Sequence, residues 1–200
     1  MHLLIMGPPG AGKGTQAGRI GAHFGVPAIS TGDMFRAMRD LDTPLAKQVQ
    51  EIMVSGAYVP DDVTNQVVAE RLLADDCAKG FLLDGYPRTL QQVDYLDSVL
   101  DEGARQLEAV ISLQADSDEV VRRLLKRAET SGRDDDNEAT IRTRQDTYTR
   151  ETAPLLDVYR DRGLLVEVDG LGAVDDVTER LFAALDQRAG SGSALVGGAS

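Results

Sequence analysis

Two hundred residues, 42% of them hydrophobic, suffice for one domain with a sizeable core; with no Trp and 4% aromatics, that core must be mostly Leu, Val, Ile and Ala. A formal net charge of −12 argues against non-specific binding to nucleic acid or anionic membrane. No apolar run approaches the roughly 20 residues of a membrane helix, the N-terminus lacks a secretory leader's basic and long apolar regions, and the single cysteine, Cys77, offers neither a disulfide framework nor a cysteine-based zinc site, so a cytoplasmic location is expected.

The first apolar run, His2–Met6, reads as a buried strand, and Gly7 to Thr15 follow it as "GPPGAGKGT". This is G-x-x-x-x-G-K with one residue between Lys13 and Thr15, flanked by a strand and the amphipathic "TQAGRIGAHFG". Small residues let backbone N–H groups converge on phosphate oxygens, and the following helix adds its positive end. Lys13 is placed for β- and γ-phosphates, Thr15 for phosphate or Mg²⁺. A merely structural glycine turn would need no lysine in register.

Pro27–Ser30 is the second strand, and "ISTGDMFR" puts Thr31, Asp33 and Arg36 at a helix start that Ser30 or Thr31 can also cap. Thr31 to Gly80 holds three helical patterns, Asp33–Asp40, Pro44–Val54 and Asp61–Cys77. A crossover needs fewer, so part of this stretch is expected to stand off the sheet as a subdomain. The pairs Asp61-Asp62 and Asp75-Asp76 read as caps and solvated faces. The third strand, Phe81–Asp84, opens into "DGYPRT". A carboxylate at a strand's C-terminal end suits Mg²⁺ or its waters, and Gly85 and Pro87 shape a turn presenting Arg88. Alone, Asp84 and Arg88 read as a turn former and a surface charge. Beside a phosphate loop they form the second half of a site.

Ala109–Leu113 is the fourth strand. On the next helix Val120, Val121, Leu124 and Ala128 form the apolar side, bordered by Arg127, with Arg122 and Arg123 further round. Asp136-Asn137 reads as a capped helix start, after which Ile141, Tyr148 and Leu155 recur every seven residues. Arg144 falls on that stripe's edge, Arg142 and Lys126 read as solvated, and Pro154 should kink the helix. The run Asp134–Asp136 suits a helix cap or a partner for Arg133. Leu164–Val168 is the fifth strand, and the Gly/Ser-rich tail from Ala189 to Ser200 is expected to be disordered. Strands alternating with helices make a parallel α/β sheet covered on both faces. His2, His23 and Cys77 have no metal-ligand spacing. Arginines number seventeen against four lysines, which suits bidentate phosphate contacts.

Together "GPPGAGKGTQ", "STGDMFR", "DGYPRTLQQ" and "GRDDDNEATIRTR" resemble adenylate kinases in order and spacing, over residues 1–187. The resemblance implies a P-loop NTPase-type five-stranded parallel sheet in one domain, 1–188, with an NMP-binding subdomain near 30–59 and a lid near 127–137. It implies reversible transfer from Mg-ATP to AMP giving two ADP, by a cytoplasmic monomer. ATP would meet Gly10, Ala11, Gly12, Lys13, Gly14, Thr15, Arg123, Arg127 and the backbone at Gly172. AMP would meet Thr31, Arg36, Ala57, Tyr58, Val59, Gly85, Tyr86, Pro87, Arg88 and Gln92. Arg133 and Arg144 would close on the phosphates, and Mg²⁺ would sit near Asp84 and Asp33. Only about ten residues separate Arg127 from Asn137, so the lid resembles the short form without zinc. Asp42 stands where the family has Gly, and Tyr58 and Tyr86 replace its usual Leu and Phe. The nearest rival is a UMP/CMP kinase, against which Thr31 and Gln92 speak. A slow nucleotide-binding switch would need no acceptor site.

Overall fold

A computed structural model describes residues 1–131 and 137–195. The chain forms β1 (His2–Met6), α1 (Lys13–Phe24), β2 (Ala28–Ser30), α2 (Thr31–Ala37), α3 (Pro44–Ser55), α4 (Asp61–Leu72) and β3 (Phe81–Asp84). It continues with α5 (Leu90–Glu102), β4 (Ala109–Gln114), α6 (Ser117–Ser131), α7 (Glu138–Thr147), α8 (Leu155–Asp161), β5 (Leu165–Asp169) and α9 (Val174–Leu195). All strand pairs are parallel and the order is β2-β3-β1-β4-β5. The sequence expectation of a parallel α/β sheet holds, with β1 and β3 at the expected bounds and β2, β4 and β5 differing by one residue. Pro27, which has no N–H to donate, precedes β2 and only accepts, from Leu82 N at 2.9 Å.

Both sheet faces are covered, and β1 shows why its sequence is apolar throughout. Leu4 and Met6 point to one face, where α4, α5 and α8 bring Val68, Leu72, Val93, Leu96, Leu155 and Tyr159. Leu3 and Ile5 point to the other, packed by Ala17 and Ile20 of α1 and Val177, Leu181 and Leu185 of α9. A strand buried on both faces cannot alternate polar and apolar residues.

Phe35, Val49 and Val59 form a separate small cluster with Met38, Ile52 and Met53, so α2 and α3 carry apolar packing of their own. This group meets α7 at the C-terminus of α3: Thr140 Oγ1 donates to Val54 O at 2.9 Å. Gly56 ends α3 with φ +79°, and a Cβ there would lie 3.1 Å from Thr140 O and 3.2 Å from Arg144 Cγ.

Asn137 caps α7 through its side chain, accepting from Thr140 N at 2.9 Å. Pro154 acts as expected and its effect takes a definite form. It can offer no N–H to the carbonyl four residues back, and the chain widens into one π-helical turn, Tyr148–Thr152, closed by Ala153 N to Tyr148 O at 2.9 Å. Helix α9 runs to Leu195, into the Gly/Ser-rich stretch that begins at Ala189; residues 196–200 lie outside the described residues.

Gly56→Ala should lower unfolding free energy by about 1–2 kcal/mol, the cost of a side chain in left-handed backbone, and urea unfolding with tertiary and secondary probes would measure it.

Candidate active site

The register of the central strands assembles the site. β1 pairs with β3 so that Ile5 lies opposite Asp84, and the loop after β1 therefore opens beside that carboxylate. The loop is fixed from several sides. Lys13 Nζ donates to Gly7 O at 2.8 Å and Pro8 O at 3.0 Å, and Gln145 of α7 donates to Pro9 O at 2.9 Å. Buried Gln16 donates to Val174 O and accepts from Thr178 Oγ1, tying α1 to α9.

Lys13 titrates at about 8, far below an ordinary lysine. Desolvation is the main cause; Asp84 opposes it, while Arg88, Arg144 and Arg127 each repel the ammonium. Asp84 is pushed up, first by burial, against the pull of Lys13, Arg88 and Arg36, and it feels Asp33 as a neighbouring negative charge. One ammonium thus registers arginines from the β3–α5 loop, α6 and α7. Such an arrangement binds a polyanion that stands closer to the cations than they stand to one another.

On the side facing α2, Ser30 caps the helix by accepting from Asp33 N at 3.2 Å. That leaves the Thr31 hydroxyl to donate to Gly85 O at 2.9 Å. Arg36 is ion-paired with Asp33. Gly85, at φ +82°, has no room for a Cβ, which would lie 2.8 Å from Thr31 Oγ1 and 2.9 Å from an Arg88 nitrogen. Arg88 is held at three points: Nε donates to Gly85 O at 2.7 Å, its N–H donates to Gln92 Oε1 at 2.8 Å, and its guanidinium lies 4.8 Å above the Tyr58 ring. Gln92 donates in turn to Asp61 at 2.6 Å, and Thr89 donates to the same carboxylate at 2.8 Å. Asp61 is therefore more than a solvated cap. Tyr86 is buried and donates to Asn65 at 2.7 Å.

At the opposite end, Arg123 donates to Glu119 at 2.6 Å and to Gly170 O at 3.1 Å. It faces the cleft although periodicity put it further round, because the carboxylate one turn back and the β5–α9 loop draw it over. Arg142 is paired with Glu138 and exposed, as expected.

These parts line one cleft of about 800 Å³. It brings together Gly10, Ala11, Gly12, Lys13, Gly14, Thr15, Asp33, Arg36, Ala57, Tyr58, Asp84, Gly85, Tyr86, Pro87, Arg88, Arg123, Arg127, Arg144 and Gly172. Thr31, Val59 and Gln92 are buried and stand behind its wall. Arg133 and Asp134–Asp136 lie outside the described residues. The sequence reading missed Glu119, Gln145, Asn65 and Thr152: Gln145, Asn65 and Thr152 act through partners distant in sequence that no local pattern marks, whereas Glu119 stands one helical turn before Arg123, a spacing that could have signalled the pair. Among the described residues no three of His, Cys, Asp and Glu gather to cage a metal. Asp84 and Asp33 do fit Mg²⁺, which keeps waters and binds through one or two carboxylates together with phosphates.

The family model described as Adenylate kinase matches residues 5–164. The chain is similar to a curated adenylate kinase of Leifsonia xyli, 59% identical over 93% of this chain and 94% of that protein. It is similar to one of Clavibacter michiganensis, 58% identical over 94% of each, and to one of Nocardioides sp., 55% identical over 93% of this chain and 97% of that protein.

The state of Lys13 gives a pH signature. The free protein releases that proton near pH 8, whereas a bound polyphosphate favours the ammonium and raises its pKa. Binding of metal-free ATP should therefore take up a proton just above pH 8, and affinity should fall as pH rises further, by up to about tenfold per unit. Calorimetry in two buffers of different ionisation enthalpy measures the uptake.

Proposed function

This chain belongs to the adenylate kinase family, and we propose that its cleft moves the γ-phosphoryl group of Mg-ATP to AMP, reversibly, giving two ADP. The observation carrying this reading is the convergence of Arg88, Arg127 and Arg144 on the Lys13 ammonium beside Asp84. An anionic phosphate acceptor brought head to head with the triphosphate of ATP adds charge that water as nucleophile would not, and the clamp offsets it.

An oxygen of the AMP phosphate attacks the γ-phosphorus as the bond to the β-phosphate oxygen breaks, and ADP departs. The nucleophile is already anionic, so no general base is needed; positioning and charge stabilisation do the work. Residues Gly10 to Thr15, Arg123, Arg127 and Gly172 hold ATP. Arg36, Arg88 and the Ala57–Val59 and Gly85–Pro87 segments hold AMP, and Thr31 and Gln92 serve that site from behind the cleft wall by bracing the Gly85–Arg88 turn. Lys13, Arg88, Arg127, Arg133 and Arg144 stabilise the charge in transfer. Asp84 and Asp33 would hold Mg²⁺, directly or through water, and its charge would offset that of the phosphate oxygens. Residues 30–59 serve as a moving acceptor unit and 127–137 as a short lid on the 1–188 domain, and closure excludes water from the reacting phosphates. The enzyme is taken to act as a cytoplasmic monomer; among the described residues no helix is long and apolar enough to cross a membrane.

The test gives the purified protein Mg-ATP with AMP, UMP, CMP or GMP in turn and measures ADP. Activity with AMP is expected; a preference for UMP or CMP would move the enzyme to the pyrimidine kinases, and hydrolysis without an acceptor would sink the kinase reading. Arg88→Ala should lower turnover by about 10²- to 10³-fold, the loss typical of removing one charge-stabilising donor. Its melting temperature should stay near that of the parent.

A further inference from the structure

We propose that the Tyr58 side chain is a positioning residue for Arg88, linking the seating of the α3–α4 connection to the presentation of that guanidinium. This rests on the kinase reading above.

Tyr58 reaches Arg88 in two ways. Its ring lies beneath the guanidinium, 4.8 Å from ring centre to Cζ. Its hydroxyl lies 2.8 Å from Thr152 Oγ1, and Thr152 Oγ1 donates to Arg88 O at 2.9 Å. Proton counting fixes the direction of this chain. The threonine hydroxyl has one hydrogen, and the Arg88 carbonyl can only accept it. Tyr58 must therefore be the donor to Thr152. A relay runs from Tyr58 to Thr152 to the Arg88 carbonyl, and its direction makes each bond polarise the next.

The three residues come from three places: the loop between α3 and α4, the π-helical turn before Pro154, and the turn after β3. Only the widened turn makes this meeting possible, because it sets the buried Thr152 against the β3–α5 loop. The other holds on Arg88 come from Gly85 and Gln92, within four residues of it in sequence. Tyr58 and Thr152 are thus the long-range part of its support. If the α3–α4 loop moves away, Arg88 loses its aromatic bed and its carbonyl loses a polarised donor together. Acceptor-side seating and correct aim of the arginine become one event. A leucine at this position could supply neither the π face nor the hydroxyl.

Steady-state kinetics on four variants test this. Tyr58→Phe keeps the ring and removes the donor; Thr152→Val removes the relay; Thr152→Ser keeps it; the fourth is the double variant Tyr58→Phe/Thr152→Val. Tyr58→Phe and Thr152→Val should each lower kcat/KM for AMP by about 3- to 10-fold, the range of a single neutral hydrogen bond. KM for ATP should stay within about twofold of the parent, since Tyr58 and Thr152 make no contact with the P-loop. Thr152→Ser should restore most of the activity. The double variant should be no worse than the worse single variant, because both changes break one relay. The proposal is overturned if Tyr58→Phe matches the parent, if the two losses multiply, or if ATP and AMP parameters fall together. Failure of the kinase reading would look different: the parent itself would transfer nothing to AMP.

Discussion

The structure is organised around a charge problem. A desolvated lysine sits in the field of three arginines, an arrangement that costs the fold stability and that a bound anion relieves. The surrounding contacts keep this tension local. Lys13 spends its hydrogens on Gly7 and Pro8 carbonyls, Asp84 supplies a negative charge at short range, and the outlying Arg36 and Arg123 are paired with Asp33 and Glu119. Arg88 takes a carbonyl and an aromatic face in place of a carboxylate. Its charge therefore stays directed at the cleft. Seen this way, the net charge of −12 is no contradiction: the acids keep the exterior negative while positive potential is focused where a polyphosphate enters.

Parallel topology is what permits this convergence. Crossovers return every strand in the same direction, so the loops after β1, β2, β3 and β5 emerge at one edge of the sheet. The central pair, β1 and β3, brings the phosphate loop and Asp84 together by register alone. The two outward helices α6 and α7 then supply Arg127 and Arg144 from beyond the sheet. Their small shared core of Val120, Leu124 and Ile141 orients both helices, and so aims both guanidiniums at one point.

How much of this a sequence carries depends on the range of the interaction. The strands, the phosphate loop, the Asp84–Arg88 turn and the inward edge of α7 at Arg144 were all legible, because each is written in a local period or a short motif. Asp61 was not: it reads as an N-terminal acid of α4, yet its oxygens hold Thr89 and Gln92 from 28 and 31 residues away. Arg123 was misjudged by periodicity because a side chain that long follows its hydrogen-bond partners and not its Cβ direction. Pro154 announced a kink, but the π-helical turn that delivers Thr152 depends on how the chain on both sides is packed.

The acceptor side is built to be separable. Its own core is small, centred on Phe35, Val49 and Val59, and its contact with α7 rests on polar groups and a glycine: Thr140 to Val54, the close approach at Gly56, and Tyr58 to Thr152. Neutral hydrogen bonds exchange with water at about 0.5–1.5 kcal/mol each, so this seam can open without exposing the sheet's two large cores. An apolar seam of the same size would either stay shut or, once open, invite aggregation. Polar docking over an independent core lets α2 and α3 part from α7 at small cost while their own packing stays intact.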